Sequence, residues 1–328
     1  MEKAIVKVEG LKKWFPLKTG FLQSLTGKTL NVRAVDGISL EIKKKEIFGL
    51  AGESGSGKTT TGKLIIRLID PTKGKIYFEG KEITELKESE MKLLRRRMQI
   101  IFQDPYESLN PRMKVSDLIA EPLRVLGLSR GKETIEKVTE IMNAIGLTPP
   151  EEFLLRYPHE LSGGQRQRVA VGRAFVVNPD FVVADEPVSM LDVSIRASIL
   201  KIIISLVDTH DASFLYISHD LALSRHMCDR IGIMYLGKIM EKTASDRIVK
   251  EPLHPYTEEL IKAVPLPDPT ARRSADVLKG EIPSPVNPPS GCRFHTRCPK
   301  YIGDICKQKE PPITEVSKEH YVACHLYT

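Results

Sequence analysis

Gly52-Glu53-Ser54-Gly55-Ser56-Gly57-Lys58-Thr59 is the stretch on which the reading of the fold turns. Ahead of it runs a short apolar segment, Ile47-Phe48-Gly49-Leu50-Ala51, and behind it a helical-looking segment from Thr60 to Ile69. Strand, glycine-rich loop and helix in that order match the phosphate-binding P-loop pattern G-x-x-x-x-G-K-S/T. Gly52, Gly55 and Gly57 let the backbone turn tightly, so that successive N–H groups converge on one anion. The start of the next helix adds unpaired N–H groups and the positive end of its dipole. Lys58 is expected to reach the outer phosphates of a nucleotide and the Thr59 hydroxyl to ligate Mg²⁺, with Ser54, Ser56 and Thr60 completing the phosphate-facing set.

The 328 residues suffice for one large domain with an appendage, or for two domains. No apolar run approaches the roughly 20 residues that span a bilayer. The start, Met1-Glu2-Lys3-Ala4-Ile5-Val6-Lys7, alternates charged with apolar residues and is unlike a signal peptide, so a cytosolic protein is expected. The net charge of +7 is spread along the chain and reads as a solvated surface, with no nucleic-acid partner implied. Of five cysteines, four lie after residue 290, a clustering that in a reducing cytosol points to a metal rather than to a disulfide framework.

Along the chain, strands are expected at 4–9, 32–35 and 38–42, with an inserted loop at 17–31 and a hairpin over 76–83 turning at Gly80-Lys81. Residues 88–97 read as a basic, solvated helix. A strand over 99–102 ends at Gln103, and the proline-bearing stretch 104–112 reads as irregular. A helical pattern fills 115–146, with Gly127 and Gly146 as stops. Ser162 then N-caps a helix running to Val177, with Gln165 three residues on as in a capping box. Gly163 and Gly164 make its start a second backbone anion site, by the same physics as the first. Phe181 to Ala184 form a buried strand that delivers Asp185, a Mg²⁺ ligand, and Glu186, a general base for an attacking water. Asp192 follows in a short loop. A further strand, Phe214 to Ser218, ends at His219, and open α/β sheets bind ligands at such strand ends. Taken singly, these features also read as an ordinary capped helix, an acidic helix cap and a structural histidine. Beside a P-loop they read as one nucleotide site.

The P-loop, Gln103, Leu161-Ser162-Gly163-Gly164-Gln165, Asp185-Glu186, Asp192 and His219 stand in an order that resembles an ATP-binding subunit of an ABC transporter, over residues 4–250. The resemblance implies an α/β fold: a RecA-like P-loop ATPase core, an antiparallel β subdomain and a helical subdomain at about 104–170. It implies MgATP hydrolysis with Glu186 as base, Gln103 sensing Mg²⁺, His219 on the γ-phosphate, and Phe15 or Trp14 stacking on adenine, Phe15 being favoured by spacing. Each ATP would lie between the P-loop of one subunit and the signature Ser162 to Gln165 of a second ATPase subunit in a head-to-tail dimer. Phe102 to Tyr106 with Ser108 to Arg112, Ala184 to Ser189, His254-Pro255-Tyr256-Thr257 and Gly280 to Pro289 are similar to the dipeptide/oligopeptide importers, in particular their F-type subunit. That likeness implies two permease partners, an extracytoplasmic solute-binding protein acting indirectly, and a place on the cytoplasmic face of the membrane. Nickel and other small-solute importers share these motifs. Tyr106, Leu109 and Asn110 are expected to line the groove that receives a permease helix.

Residues 251–328 are expected to form a small, proline-rich C-terminal module stapled by Cys292, Cys298, Cys306 and Cys324. No C-x-x-C pair occurs, so a 4Fe–4S cluster on these four is expected, as in some importers that the chain resembles. Zn²⁺, with His295, His320 or His325 as substitute ligands, is the alternative. Cys228 is expected to be a buried filler. Two rival functions are a soluble ABC ATPase acting on nucleic acid and a redox-sensing regulator. The first usually carries a coiled coil or fused ATPase domains, which this chain lacks.

Overall fold

In the computed structural model, which describes residues 3–17, 30–263 and 280–328, the N-terminal alternation becomes one long strand, β1 (Ala4–Pro16). The two strands expected at 32–35 and 38–42 are a single strand, β2 (Asn31–Lys43), continuous through Gly37. The insert expected at 17–31 lies, except for its ends, outside the described residues. The wholly buried β3 (Ile47–Ala51) feeds the glycine-rich loop, and α1 (Lys58–Ile65) follows it. Between β4 (Lys73–Phe78) and β5 (Lys81–Glu82) the turn is made by Glu79 and Gly80, one residue earlier than expected. Both have positive φ, as a tight two-residue hairpin turn demands.

Next come α2 (Glu88–Arg95), β6 (Met98–Ile101) and a single helical turn, α3 (Pro105–Ser108). That turn corrects the irregular reading of 104–112. Proline lacks only an N–H that would be unpaired at a first helical position anyway, and Asp104 caps the turn by accepting from the Tyr106 N–H. The helical block is α4 (Val115–Val125), α5 (Lys132–Ala144) and α6 (Gly163–Phe175), with Gly127 and Gly146 in left-handed geometry after α4 and α5, as the stop signals required. Then follow β7 (Phe181–Asp185), α7 (Val193–His210), β8 (Ser213–Ser218), α8 (Leu221–Met227), β9 (Arg230–Tyr235) and β10 (Lys238–Ala244). The chain closes with α9 (Ser245–Lys250), α10 (Pro255–Ala263), α11 (Asp304–Gln308), β11 (Thr314–Ser317) and β12 (His320–Val322).

Contacts sort the chain into two units. One comprises Met1–Val6, Ile42–Ile47 and Phe78–Ile217. Within it β6, β7 and β8 run parallel, in register from Met98 against Phe181 to Asp185 against Ile217. β7 and β8 are buried at every residue, so their sequences are continuous apolar runs rather than alternations. The helical block belongs to the same unit, with α4 and α5 both packed on α6.

The other unit comprises Lys7–Glu41, Phe48–Tyr77 and Ser218–Thr328. In it β3 pairs parallel with β9, β9 antiparallel with β10, β10 with β12, and β12 with β11. The Cys-bearing C-terminal region is therefore not a module apart. Its last strands extend the sheet of β9 and β10, and fully buried Phe294 packs edge-on to Tyr235 at 5.4 Å and against Tyr256 at 5.2 Å. A proline-rich tail with little apolar material of its own gains a core by joining one already present, at about 2–3 kcal/mol for a buried phenylalanine. Cys228 is the buried filler expected: a Cβ on Gly49 would meet its Sγ at 2.8 Å.

Beside that aromatic cluster, both oxygens of buried Glu241 are spoken for. Oε1 accepts from Leu253 N–H and contacts His320 Nε2 at 2.7 Å, and Oε2 accepts from His254 N–H. His254 Nδ1 accepts from Tyr256 N–H, and burial pushes this imidazole down to about 4, with the Glu241 charge opposing. A histidine kept neutral in the fold favours the unfolded chain once that chain takes a proton. Its contribution is intact above about pH 6.5 and is lost as the pH falls toward 4, at about 1.4 kcal/mol per pH unit. Urea unfolding at pH 7 and pH 5 should therefore show the native protein losing ~2 kcal/mol more than His254→Gln does. Equal losses in the two proteins would remove His254 from the acid response.

Candidate functional site

β3 is apolar because it is buried on both faces, and it ends where the loop begins. Gly57 shows why the loop needs glycine. Its φ is +103°, and a Cβ there would lie 2.1 Å from the Ala34 carbonyl oxygen. Buried Lys58 folds inward: its Nζ donates to the carbonyl oxygens of Gly52 at 2.8 Å and Glu53 at 2.9 Å and lies 3.4 Å from Ser56 Oγ. Ser54 and Gly55 are exposed at the crest, and Thr59 and Thr60 are half-buried at the start of α1. An inward ammonium, a cradle that a side chain would fill and a row of amides at a helix start fit a polyphosphate.

Two contacts to this loop were missed in the sequence. The Glu53 N–H donates to the Tyr256 hydroxyl at 2.9 Å, and the Glu53 carboxylate accepts two bonds from the Arg297 guanidinium, at 2.8 and 3.2 Å. Tyr256 lies in the His254 to Thr257 motif and Arg297 directly precedes Cys298, but nothing in either position names a loop more than 200 residues away as its partner.

Of the two aromatic candidates, Trp14 is committed elsewhere. Its Nε1–H donates to Asp36 at 3.1 Å, and Arg33 and Lys12 lie 4.9 and 5.4 Å from its ring centre. Phe15 is 39% exposed, with the Lys13 ammonium 5.1 Å from its ring, so Phe15 is the aromatic with a face to offer. His219 is exposed directly after Ser218, the last residue of β8.

In the other unit, the parallel ends of β6 and β7 bring Gln103 and Glu186 together, Gln103 Nε2 lying 3.3 Å from Glu186 Oε2. Asp185 is buried at the end of β7. Glu186 holds a left-handed φ of +45°, a geometry that costs a non-glycine residue about 1–3 kcal/mol. Its N–H donates to Ile217 O, and its carbonyl accepts from the Ser189 N–H and hydroxyl. The backbone is thus pinned on both sides of a strained residue, which fixes the direction of its Cα–Cβ bond.

The signature is a capping box as expected. Ser162 Oγ accepts from Gln165 N–H at 3.3 Å, and Gln165 Oε1 accepts from Ser162 N–H at 2.9 Å. Gly164 has a further reason to be glycine, since a Cβ there would lie 2.7 Å from Ile195 Cγ2. Gly163 has ordinary room, its nearest neighbour being Leu191 Cδ2 at 3.6 Å. Asp192 is exposed and precedes α7 without a capping bond from its side chain. In the expected docking stretch, Tyr106 is 65% exposed and Asn110 is exposed, but Leu109 is buried and cannot line a groove. The Tyr106 ring lies 3.9 Å from the guanidinium of buried Arg166, two residues beyond Gly164.

Cys292, Cys306 and Cys324 are buried and Cys298 half-buried, all as free thiols. Burial pushes Cys292 up to about 12 and raises Cys298 and Cys324, and the Cys292 N–H donates to the Cys306 carbonyl at 2.8 Å. Among the described residues no group of three or more His, Cys, Asp or Glu side chains converges closely enough to hold a metal ion. The substitute ligands are engaged elsewhere: His320 with Glu241, His295 Nδ1 with the Cys292 carbonyl and His325 Nε2 with the Lys309 carbonyl. No helix among the described residues is long and apolar enough to cross a membrane.

Comparisons with known proteins agree with this inventory. The ABC transporter family matches residues 35–189, and the family described as the C-terminal region of oligopeptide/dipeptide transporters matches residues 240–306. The oligopeptide transport ATP-binding protein AppF of Bacillus subtilis (strain 168) is 46% identical over 330 residues, covering 100% of this chain and 98% of AppF. The putative oligopeptide transport ATP-binding protein YkfD of the same organism is 48% identical over 304 residues, 92% of each chain. Among solved structures, a dimeric ATP-binding cassette in a post-hydrolysis state, bound to ADP and Pi, superposes with a TM-score of 0.63 at 27% identity, covering 73% of this chain and 98% of that one.

Proposed function

Because the chain belongs to the ABC transporter family of ATP-binding proteins, we propose that it is the ATP-hydrolysing subunit that powers a peptide importer, working against the cytoplasmic face of a membrane. The observation that carries the reading is a pair of phosphate-binding helix starts in one chain, α1 behind the glycine-rich loop and α6 behind the capped signature. One nucleotide needs only one of them from a given subunit. A head-to-tail dimer uses both, each ATP meeting Gly52 and residues 54–60 of one subunit and Ser162, Gly163, Gly164, Gln165 and Asp192 of the other. The relative bound to ADP and Pi is itself dimeric, which supports this arrangement.

In the proposed reaction Lys58 and the loop amides hold the phosphates, and Phe15 stacks on adenine. Mg²⁺ supplies charge neutralisation when it accompanies ATP, and Thr59, Gln103 and Asp185 are the side chains suited to hold it. Glu186 accepts a proton from water as the water oxygen bonds to the γ-phosphorus. The bond from that phosphorus to the β–γ bridging oxygen breaks, leaving ADP and phosphate. His219 steadies the γ-phosphate. The likeness to AppF and YkfD favours peptides over nickel or another small solute as cargo.

Glu186→Gln keeps the shape beside Gln103 and removes the base. Phosphate release should fall about 10²–10⁴-fold while ATP binding persists. Hydrolysis within a few-fold of the native protein would remove Glu186 from the role.

Affinity purification from detergent-solubilised membranes should recover two multi-span permeases and a second ATPase subunit of this family. A chain that comes out with nucleic acid or alone would overturn the transport reading.

A 4Fe–4S cluster on Cys292, Cys298, Cys306 and Cys324 is the finer part of the proposal, resting on four free thiols in the C-terminal region, the number such a cluster takes, although their side chains do not converge as a closed ligand set; its role would be structural rather than redox. Protein purified without oxygen should be brown with about four irons per chain, and Cys298→Ser should be colourless yet still bind ATP. Colourless native protein holding one zinc would sink the cluster.

A further inference from the structure

The loop that receives phosphate carries an acid of its own. Glu53 sits directly after Gly52, within five residues of Lys58. A bare carboxylate there works against a polyanionic ligand, because like charges repel most strongly where water is scarce. The structure shows what cancels it. Arg297 is 5% exposed and Glu53 20%, and the two face each other as a planar fork on a carboxylate. The Tyr235 hydroxyl, 3.3 Å from Arg297 Nη1, fixes the guanidinium from the side; burial disfavours its charge, and the bonds it donates to Glu53 and Tyr235 outweigh that. The Tyr256 hydroxyl takes the Glu53 N–H, so the same residue is held through its backbone and its side chain.

The anchoring side chains come from the tail. Arg297 stands five residues after Cys292 and one before Cys298. Arg293, next to Cys292, makes a second buried pair with Asp36, the residue that also accepts the Trp14 Nε1–H. The Arg33 N–H donates to Pro285 O, so the Gly280 to Pro289 segment is tied to β2 as well. The C-terminal region thus reaches the phosphate loop and the strands beside it through charged side chains as well as apolar packing.

We propose that Arg297 is a positioning residue for nucleotide binding: by neutralising Glu53 it lets the loop accept phosphate, with Tyr256 holding the same residue's backbone. The proposal rests on the reading of residues 52–59 as the phosphate loop. A merely structural ion pair and this role differ in how binding relates to stability. If Arg297 only braces the fold, binding in every variant follows the urea midpoint, and removing both charges restores the two together. If it neutralises Glu53, Arg297→Ala binds weakly even where its urea midpoint stays near native, and removing the second charge restores binding.

The test is titration of the full chain with MgADP, which undergoes no turnover, alongside urea midpoints for each variant. Native protein that does not bind MgADP would refute the phosphate-loop reading itself, separately from the role of Arg297. Given binding, Arg297→Ala should weaken it at least about 10-fold, as expected when one partner of a buried charged pair is left alone. Arg297→Lys should recover part of the loss, and the double variant Glu53→Gln with Arg297→Ala should return to within about 3-fold of native. Native-like binding by Arg297→Ala overturns the proposal, as does a double variant as weak as Arg297→Ala. If Arg297→Ala does not fold, Glu53→Gln alone decides: unchanged or tighter binding supports the role of Arg297, and weakening beyond about 3-fold overturns it.

Discussion

A loop that offers N–H groups to an anion cannot spend them all on itself, and a loop with few internal bonds needs outside support to keep one shape. Residues 52–58 meet that constraint in three ways. β3 enters the loop as a rigid, fully buried strand. The Lys58 ammonium draws the carbonyls of Gly52 and Glu53 inward, leaving amides for the other side. The Tyr256 hydroxyl and the Arg297 guanidinium hold Glu53 from outside the loop. Gly52 and Gly57 are positions where this geometry tolerates no substitution, because positive φ acts together with a carbonyl oxygen 2.2 and 2.1 Å, respectively, from the missing Cβ.

Gln103, Asp185 and Glu186 obey a related logic. Three parallel strands place their C-terminal ends along one edge, so residues far apart in sequence converge without long loops. Glu186 is held in a left-handed conformation by bonds at its N–H and its carbonyl, so the direction of its Cα–Cβ bond is set by the backbone. The signature helix is prepared differently: Ser162 and Gln165 satisfy each other's N–H groups, and Gly164 lets the helix start press against Ile195.

The tail shows how a segment poor in apolar material can be ordered. Phe294 enters an aromatic cluster, β12 adds to β10, and two arginines beside cysteines form buried pairs with Asp36 and Glu53. Each buried pair would be costly if broken, since the remaining charge would stay out of water. The cysteines therefore lie in a region already tied to the glycine-rich loop.

The glycine-rich loop, the capped helix start at Ser162, the Asp185-Glu186 strand end and the glycine stops after α4 and α5 were legible in the sequence alone. Each rests on local chemistry: backbone turns, caps and periodicity act over a few residues and can be read there. The single turn at Pro105 and the Glu79-Gly80 turn were misread for the same reason, since each depends on one residue's choice between two local geometries. Only the tertiary structure decided that the tail joins the unit of the phosphate loop, that Leu109 is buried while Tyr106 is not, that Trp14 is taken by Asp36, and that Glu53 meets Arg297. Those outcomes depend on charge and hydroxyl partners up to 257 positions apart, and no local pattern encodes which of many such groups will be neighbours once the chain has packed.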